Sequence, residues 1–342
     1  MTPVTVIALD AMGGDFAPRV PVAAAVQAVE RPGCEVILVG DRPALEEELA
    51  RRTHRADRIR IRHTSAQIAM DEAPTAAVRR KPDASLPLAF ELVRAGEAQA
   101  VVGAGHSGAM MVAGKLVLGT LAGIDRPAIA APLPRKRGAT VLLDVGANAD
   151  CRPRHLVQFA HMGRVYARTA LNVSEPRVGL LSNGGEAGKG NELVREAFPL
   201  LQAEVPGFVG NVEPRDLFRG RADVVVCDGF SGNLVVKTAE AAALQATALL
   251  RERMTRRPLA RVGYWLLRGF FVELAGRTDY RTVGGSPLLG LRGVAIVSHG
   301  GSSPRSLTNA IATAVQCVEH NLVARLERQL GREPAPGAAA EA

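Results

Sequence analysis

The sequence predicts an α/β fold: a mostly parallel sheet covered by helices on both faces. Three observations predict it. Short β-branched runs alternate with helical periodicity along most of the chain, as βαβ units require. Hydrophobic residues make up 47% of the 342 residues but aromatics only 4%, which suits helices packed closely on a sheet better than an all-β sandwich. Polar, glycine-rich segments follow the strand candidates, where ligands gather in such folds.

The elements follow in order. Strands are expected at 4–9 (VTVIAL), 36–39 (VILV), 58–63, 99–103 (QAVVG), 128–132, 140–145 (TVLLDV), 177–182, 207–211, 223–227 (DVVVC) and 293–298 (GVAIVS). Helical patterns fill 17–30, 43–51, 84–95, 107–122, 153–171, 187–203 and 231–256. No internal repeat interrupts them. Residues 1–330 read as one large catalytic domain with a helical protrusion at about 250–283. The tail at 331–342, with EPAPGAAAEA from Glu333, is small, proline-containing and aperiodic, and is expected to be disordered.

Composition narrows the class. The four cysteines, Cys34, Cys151, Cys227 and Cys317, are far apart and form no C-x-x-C pair, so neither a disulfide framework nor a zinc site is expected. No His-x-x-x-His or acidic cluster has metal-ligand spacing, and no metal or cofactor is expected. The start of the chain runs directly into a strand without a secretory pattern, and no long apolar run suggests a spanning helix. Net charge is +8, with basic clusters at 51–62, at Arg79, Arg80 and Lys81, at 135–137 and at 251–261. Such clusters favour an acidic partner or are solvated helix faces. Nucleic acid is disfavoured, because stacking aromatics are not interleaved with the arginines.

The chemistry-bearing segments sit at strand exits. The first, DAMGGD, places Asp10 and Asp15 around Gly13 and Gly14. Asp15 is expected to cap the helix starting near Pro18, while Asp10 either pins the loop or joins an acid pair. GAGHSG at 103–108 fits G-x-G-x-x-G, but the acid that should end the next strand is missing, since Asp125 precedes it. Gly105 and Ser107 are therefore read as part of a phosphate-cradling turn, with a purely structural turn as the alternative. Gly188, Lys189, Gly190 and Asn191 in GKGN lack the spacing of a nucleotide P-loop. Lys189 on a glycine-rich helix start still suits a small anion. Asn148, Asn211 and Asn233 follow other strands and are candidate substrate-orienting amides, as is Asp228 for the loop DGFSGN. Ser231 is either a cap or a nucleophile. His106 and His299 each follow a strand and are candidate proton donors or structural histidines.

One segment stands apart. PLARVGYWLLRGFFVELA at 258–275 holds Tyr264, Trp265, Phe270 and Phe271, with Arg261 and Arg268 seven residues apart on one helical face. It reads as an amphipathic membrane-surface helix, contacting lipid through Trp265, Phe270 and Phe271, or as part of a dimer interface.

The segments ALDAMGGD, MDEAPTAAVRRK, AGEAQAVVGAGHSGAMM, GIDRPAIA, LLDVGANADCRPRHLVQFAHMG, GKGNEL, GNVEPRDLF, ADVVVCDGFSGN and YRTVGGSPLLG together resemble the bacterial phosphate acyltransferase (PlsX) family, in its order, from residue 4 to about 320. The resemblance implies transfer of a fatty acyl group from acyl carrier protein to inorganic phosphate. The acyl phosphate would supply the membrane glycerol-3-phosphate acyltransferase in phospholipid synthesis. It also implies a Rossmann-like, three-layer α/β/α fold akin to isocitrate and isopropylmalate dehydrogenases, a homodimer, and a cytoplasmic location at the inner face of an anionic membrane. Three positions depart from the family pattern: His106-Ser107 stands for Asn-Thr, Gly185 for an acid, and Val297 for a lysine. On this reading Lys189 with Gly188 and Gly190 cradles phosphate, the amides near Gly105 to Ser107 hold the oxyanion, and His106 protonates the leaving thiolate. Asn148, Asn211 and Asn233 orient the substrate, and Arg79, Arg80 and Lys81 dock the acidic carrier protein.

Overall fold

The first strand, β1 (Thr5–Asp10), shows why the chain layers as it does. Ile7 and Leu9 enter one hydrophobic core and Ala8 enters another, so both faces of the strand are covered. The computed structural model describes residues 4–255 and 284–330, together with Gly269. The chain continues through α1 (Arg19–Val29), β2 (Cys34–Gly40), α2 (Arg42–Ala50), β3 (Ile59–His63), α3 (Pro74–Arg80), α4 (Ser85–Arg94), β4 (Ala100–Gly103) and α5 (Ser107–Val117). Next come β5 (Ala128–Pro134), β6 (Ala139–Leu143), α6 (Pro153–Ala170), β7 (Val178–Leu181), α7 (Glu192–Glu204), β8 (Phe208–Val212), α8 (Pro214–Arg219), β9 (Val224–Val226) and α9 (Gly229–Thr255). Beyond the undescribed stretch lie β10 (Ser286–Leu289), β11 (Val294–Val297), α10 (Pro304–Glu319) and α11 (Leu322–Leu330).

Among the described residues, eleven strands form one sheet in the order β3-β2-β1-β4-β11-β10-β5-β6-β9-β7-β8. The first five in that order are mutually parallel, and so are the last four. Between the two blocks, β10 runs antiparallel to β11 and to β5, and β5 antiparallel to β6. Three reversals make the blocks run in opposite directions. The strand exits therefore do not all lie on one edge of the sheet.

The blocks are also stepped. β10 pairs with β11 through Ser286 and Pro287, but with β5 through Leu288 and Leu289. β5 then continues from Ala130 to Pro134 against β6. This stagger brings the ends of β4 and β11 level with the ends of β6 and β9, so opposed carboxyl ends face each other across the step. One core runs beneath both blocks, joining Val22, Leu307 and Ile311 to Phe159, Met162 and Leu180. Two further cores cover the opposite face, around Phe90 and Met110 in one block and around Leu217 and Val236 in the other.

Several expected elements shift. The helix expected over 107–122 stops at Val117, where Gly119 takes φ +76°. That expected at 187–203 begins only at Glu192, because Gly190 takes φ +104° and Asn191 caps the helix. β10, α3, α8, α10 and α11 were not expected as elements. The protrusion with Trp265, Phe270 and Phe271 and the tail at 331–342 lie outside the described residues. Among the described residues no helix is long and apolar enough to cross a membrane.

Candidate active site

Three loops converge at the ends of β1, β4 and β11. Asp10 is buried and accepts the N–H of Met12 at 3.2 Å. Burial raises its carboxyl above the usual range, against the pull of Ser85 and the N–H groups of Met12 and Gly13. It is a buried loop anchor. A Cβ added at Gly13 would stand 2.5 Å from Asp10 Oδ2 and 3.1 Å from Gly105 Cα, so only glycine lets these loops touch. Gly14 takes φ +97°, and an added Cβ would lie 3.1 Å from both Ala104 O and Gly300 O. It is a wedge between the loops after β4 and β11. Asp15 does not cap α1: that helix has Pro18 at its N-cap and no side-chain cap. Instead its N–H donates to Gly300 O at 2.9 Å, and its carboxylate lies beside Gly300 and Gly301.

The two histidines are built alike. His106 occupies the N-cap of α5, and its Nδ1 accepts the N–H of Gly108 at 3.1 Å. His299 Nδ1 accepts the N–H of Gly301 at 3.1 Å. A ring whose Nδ1 accepts carries its proton, when neutral, on Nε2. Each neutral ring therefore has a spare N–H donor.

The opposing wall starts at Asp144, which is fully buried after β6. Its Oδ1 accepts from Ile129 N at 3.0 Å, Gly146 N at 3.2 Å and Ala147 N at 3.1 Å. Its Oδ2 accepts from Asn148 N at 2.7 Å and Asn148 Nδ2 at 2.9 Å. Burial raises this carboxyl too, while those donors pull it down. Asn148 also donates to Pro127 O at 2.8 Å, and Gly229 N donates to Asn148 O at 2.7 Å. Asn148 thus ties β6 to α9. Asp228 caps α9 by accepting from Ser231 N and Ser231 Oγ, each at 2.8 Å. The cap is thus Asp228, and Ser231, the third residue of the helix, is its hydrogen-bond partner and not a cap itself. Asn233 lies over Gly146, where an added Cβ would be 3.3 Å from Asn233 Nδ2.

Between the walls lies a cavity of about 430 Å³. Gly105, His106, Ser107, His299 and Gly300 line one side, with Asp15 beside them, and Asn233, Val236, Lys237 and Glu240 line the other. Ile129, Val145, Ser286, Val297 and Ser298 complete it, and Met70 joins the lining from the segment before α3. Five expected site residues thus meet in one space: Gly105, His106, Ser107, Asn233 and His299. Sequence reasoning missed Lys237, Glu240 and Ser286, although Asn233, Lys237 and Glu240 follow the i, i+4, i+7 spacing of one helix face. Of the positions departing from the family pattern, His106 and Val297 line the cavity and Gly185 does not.

A second cluster lies apart from that lining. Asn211, wholly buried at the end of β8, donates through Nδ2 to Glu186 O at 2.7 Å, and among the described residues its Oδ1 has no hydrogen-bond partner. It anchors the exposed loop that carries Gly188 and Lys189. Asn191 Oδ1 caps α7 by accepting the N–H of Val194 at 3.0 Å. Lys189, Gly188, Gly190, Asn191 and Asn211 therefore stand together, and none lines the cavity. Arg79 and Arg80 are exposed at the end of α3, which packs on α5. Lys81 is engaged elsewhere: its Nζ reaches Glu72 Oε1 at 2.7 Å and Gln67 O at 3.1 Å. Among the described residues no three His, Cys, Asp or Glu side chains gather as a metal centre would need.

The sequence profile of a family described as "Fatty acid synthesis protein" matches residues 5–325. The phosphate acyltransferase of Geobacter sulfurreducens is 48% identical over 327 residues, covering 96% of this chain and 94% of that protein. That of Desulfitobacterium hafniense is 46% identical over 327 residues, covering 95% and 97%. Among solved structures, a phosphotransacetylase from Streptococcus pyogenes aligns with TM-score 0.58 at 18% identity over 92% of this chain and 94% of that one. A 4-hydroxythreonine-4-phosphate dehydrogenase from Klebsiella pneumoniae aligns with TM-score 0.55 at 12% identity over 91% and 98%. These two share the fold alone. The relatives named phosphate acyltransferase match nearly end to end at almost half identity, and the chain belongs to the phosphate acyltransferase family.

Proposed function

We propose that this protein transfers a fatty acyl group from acyl carrier protein to inorganic phosphate, yielding acyl phosphate for phospholipid synthesis. The observation that carries the reading is the near full-length identity to proteins named phosphate acyltransferase. In the reaction a phosphate oxygen attacks the thioester carbonyl, the C–O bond forms, and the C–S bond breaks. The proton of hydrogen phosphate ends on the departing thiol. No strong base is required, since phosphate is already anionic at neutral pH. The protein's part is to orient that anion, steady the tetrahedral oxyanion and pass a proton.

The cavity suits this work. The first-turn amides of α5, beginning at Ser107, are helix N-terminal donors for the oxyanion, and His106 offers a ring N–H beside them. Val145, Val236, Val297 and Met70 supply apolar surface for the start of an acyl chain. The sequence suggests Lys189 as the phosphate cradle. This reading moves phosphate into the cavity, because Lys189, Gly188 and Gly190 do not line it. Arg79 and Arg80 dock the acidic carrier beside α5, and Lys81 drops out because it is paired with Glu72. The homodimer, the cytoplasmic face of an anionic membrane and hand-over to the membrane glycerol-3-phosphate acyltransferase complete the proposal. The apolar, basic segment 258–275 motivates its membrane part.

The test is thiol release from acyl carrier protein thioesters, with and without phosphate, and with acyl coenzyme A as a rival donor. Phosphate-dependent release that favours the carrier protein is expected. Release independent of phosphate, or a preference for coenzyme A, refutes the proposal.

A further inference from the structure

We infer that the groove between α6 and α11 binds a diphosphate group, held by the guanidinium groups of Arg168, Arg325 and Arg328. The inference stands on this groove alone and does not depend on the acyl-transfer reading.

α11 packs on α6 and is anchored in the main core by Leu322 and Leu326. Each helix contributes the same pattern to the groove: Val165, Arg168 and Thr169 from α6, and Arg325, Arg328 and Gln329 from α11, both spaced i, i+3, i+4. Residues so spaced share one helix face, with Cβ atoms about 5–6 Å apart. Together they line a concavity of about 230 Å³. None of them lines the cavity that holds His106 and His299. Val165 and Thr169 are buried, so the charge the groove offers a ligand is that of the three arginines.

That charge selects the ligand. No carboxylate lines the groove. Arg168 donates from Nε to Ser174 O at 3.1 Å, and Arg328 from Nε to Ala324 O at 3.2 Å. Both spend one N–H on a main-chain carbonyl and keep their paired Nη groups. Among the described residues none of the three arginines forms an ion pair. Arg51 and Arg154, by contrast, are matched with Glu47 and Glu48 and with Glu204. Like charges one turn apart on α11 repel, and Arg168 adds a third from α6. An anion that meets all three removes this repulsion. Guanidinium groups take phosphate oxygens two at a time in a planar fork. One phosphate carries a charge of about −1.5 to −2 near pH 7 and offsets two arginines at most, whereas two linked phosphates offset all three. The volume falls below the roughly 300–1,000 Å³ typical of pockets for larger organic ligands, which suits a compact charged group.

The full-length protein is titrated calorimetrically with inorganic pyrophosphate, with ADP and with sulfate, in magnesium-free buffer. At least one diphosphate should bind about tenfold or more tighter than sulfate, and added salt should weaken it. The tighter of the two names the source of the group, free or carried by a nucleotide. Arg325→Glu combined with Arg328→Glu, on an exposed helix face, should weaken binding by about 100-fold or more. Arg168→Lys keeps the charge but loses the fork, and should weaken it about tenfold. His299→Ala, in the other cavity, should bind diphosphate as the wild type does. Binding of neither diphosphate, equal affinity for sulfate, or unchanged affinity in the charge-reversed variant would overturn the inference. Loss of binding in His299→Ala alone would also overturn it, by moving the ligand to the other cavity. If the arginine variants do not fold, wild-type protein is treated with phenylglyoxal with and without pyrophosphate, and modification is followed by peptide mass spectrometry. Protection of Arg168, Arg325 and Arg328 is expected, and its absence refutes the site.

Discussion

Replacing Gly14 with alanine is the sharpest single perturbation of the loop junction. Two costs can be worked out. An L-residue at φ +97° leaves its preferred backbone regions, which costs about 1–3 kcal/mol. Its Cβ would also sit 3.1 Å from two carbonyl oxygens, Ala104 O and Gly300 O, both on backbone that cannot swing away like a side chain. Relief requires the loops after β4 and β11 to separate, and these are the loops that carry His106 and His299. A displacement of about 1 Å at reacting groups can cost about 100-fold, so kcat/KM for phosphate should fall roughly 10- to 100-fold. The control is Gly96→Ala, at φ +77° with nothing within 4 Å of its added Cβ. It shares the backbone strain without the two contacts. Both variants should melt a few degrees lower, since ~1 kcal/mol shifts Tm by about 2–4 °C in chains of 150–250 residues. Phosphate-dependent thiol release and thermal melts of both variants read out the two costs. Equal kinetic damage in both, or none in Gly14→Ala, would refute the wedge.

Other outcomes follow from the same structure. Asp223 is buried and accepts from Arg135 Nη2 at 2.9 Å and from Arg177 Nε and Arg177 N, each at 3.0 Å. Burial alone would raise its carboxyl, but Arg177 and Arg135 outweigh that and hold it below the usual range. Asp223→Ala should cost about 3 kcal/mol, the low end for a broken buried pair because Arg177 stays half in water. The wild-type carboxylate contributes stability that is present above its unfolded-state pKa of about 3.9 and lost as pH falls through the lower folded value. Acid unfolding monitored by circular dichroism should lose that component in the variant, and superimposable acid transitions would contradict it. The double variant Arg79→Glu and Arg80→Glu should raise the KM for acyl carrier protein and flatten its salt dependence, leaving small thioester donors unaffected. An unaltered salt response would remove α3 from the docking surface. Lys189→Ala should change the phosphate KM less than His299→Ala; the reverse order would return the phosphate to the glycine loop at 183–190.

Much of this architecture is legible in local sequence. Apolar runs such as VIAL and VILV give β1 and β2, because strands covered on both faces need apolar residues at successive positions. β10 escapes notice because SPLL has no β-branched residue and contains Pro287; its pairing with β11 and β5 is long-range. Short α3 and α8 carry too little periodicity to register, though each begins at a proline in the first turn. Strand exits mark the candidate residues, but the place of each strand in the sheet order is written in no local segment. That is why Lys189 and His106 look equivalent in sequence and stand in separate clusters in the fold. Lys237 and Glu240 were missed because the cavity borrows the third and fourth turns of α9, beyond the glycine-rich start that drew attention.

The ladder joining β10 to β5 is only two residue pairs wide. His299 is rooted on one side of that seam and Lys237 on the other. Few backbone bonds cross the sheet at that seam, and the continuous core beneath both blocks is what joins them. A molecule held between His299 and Lys237 therefore adds a further tie across the step, above the two-pair ladder and the core below.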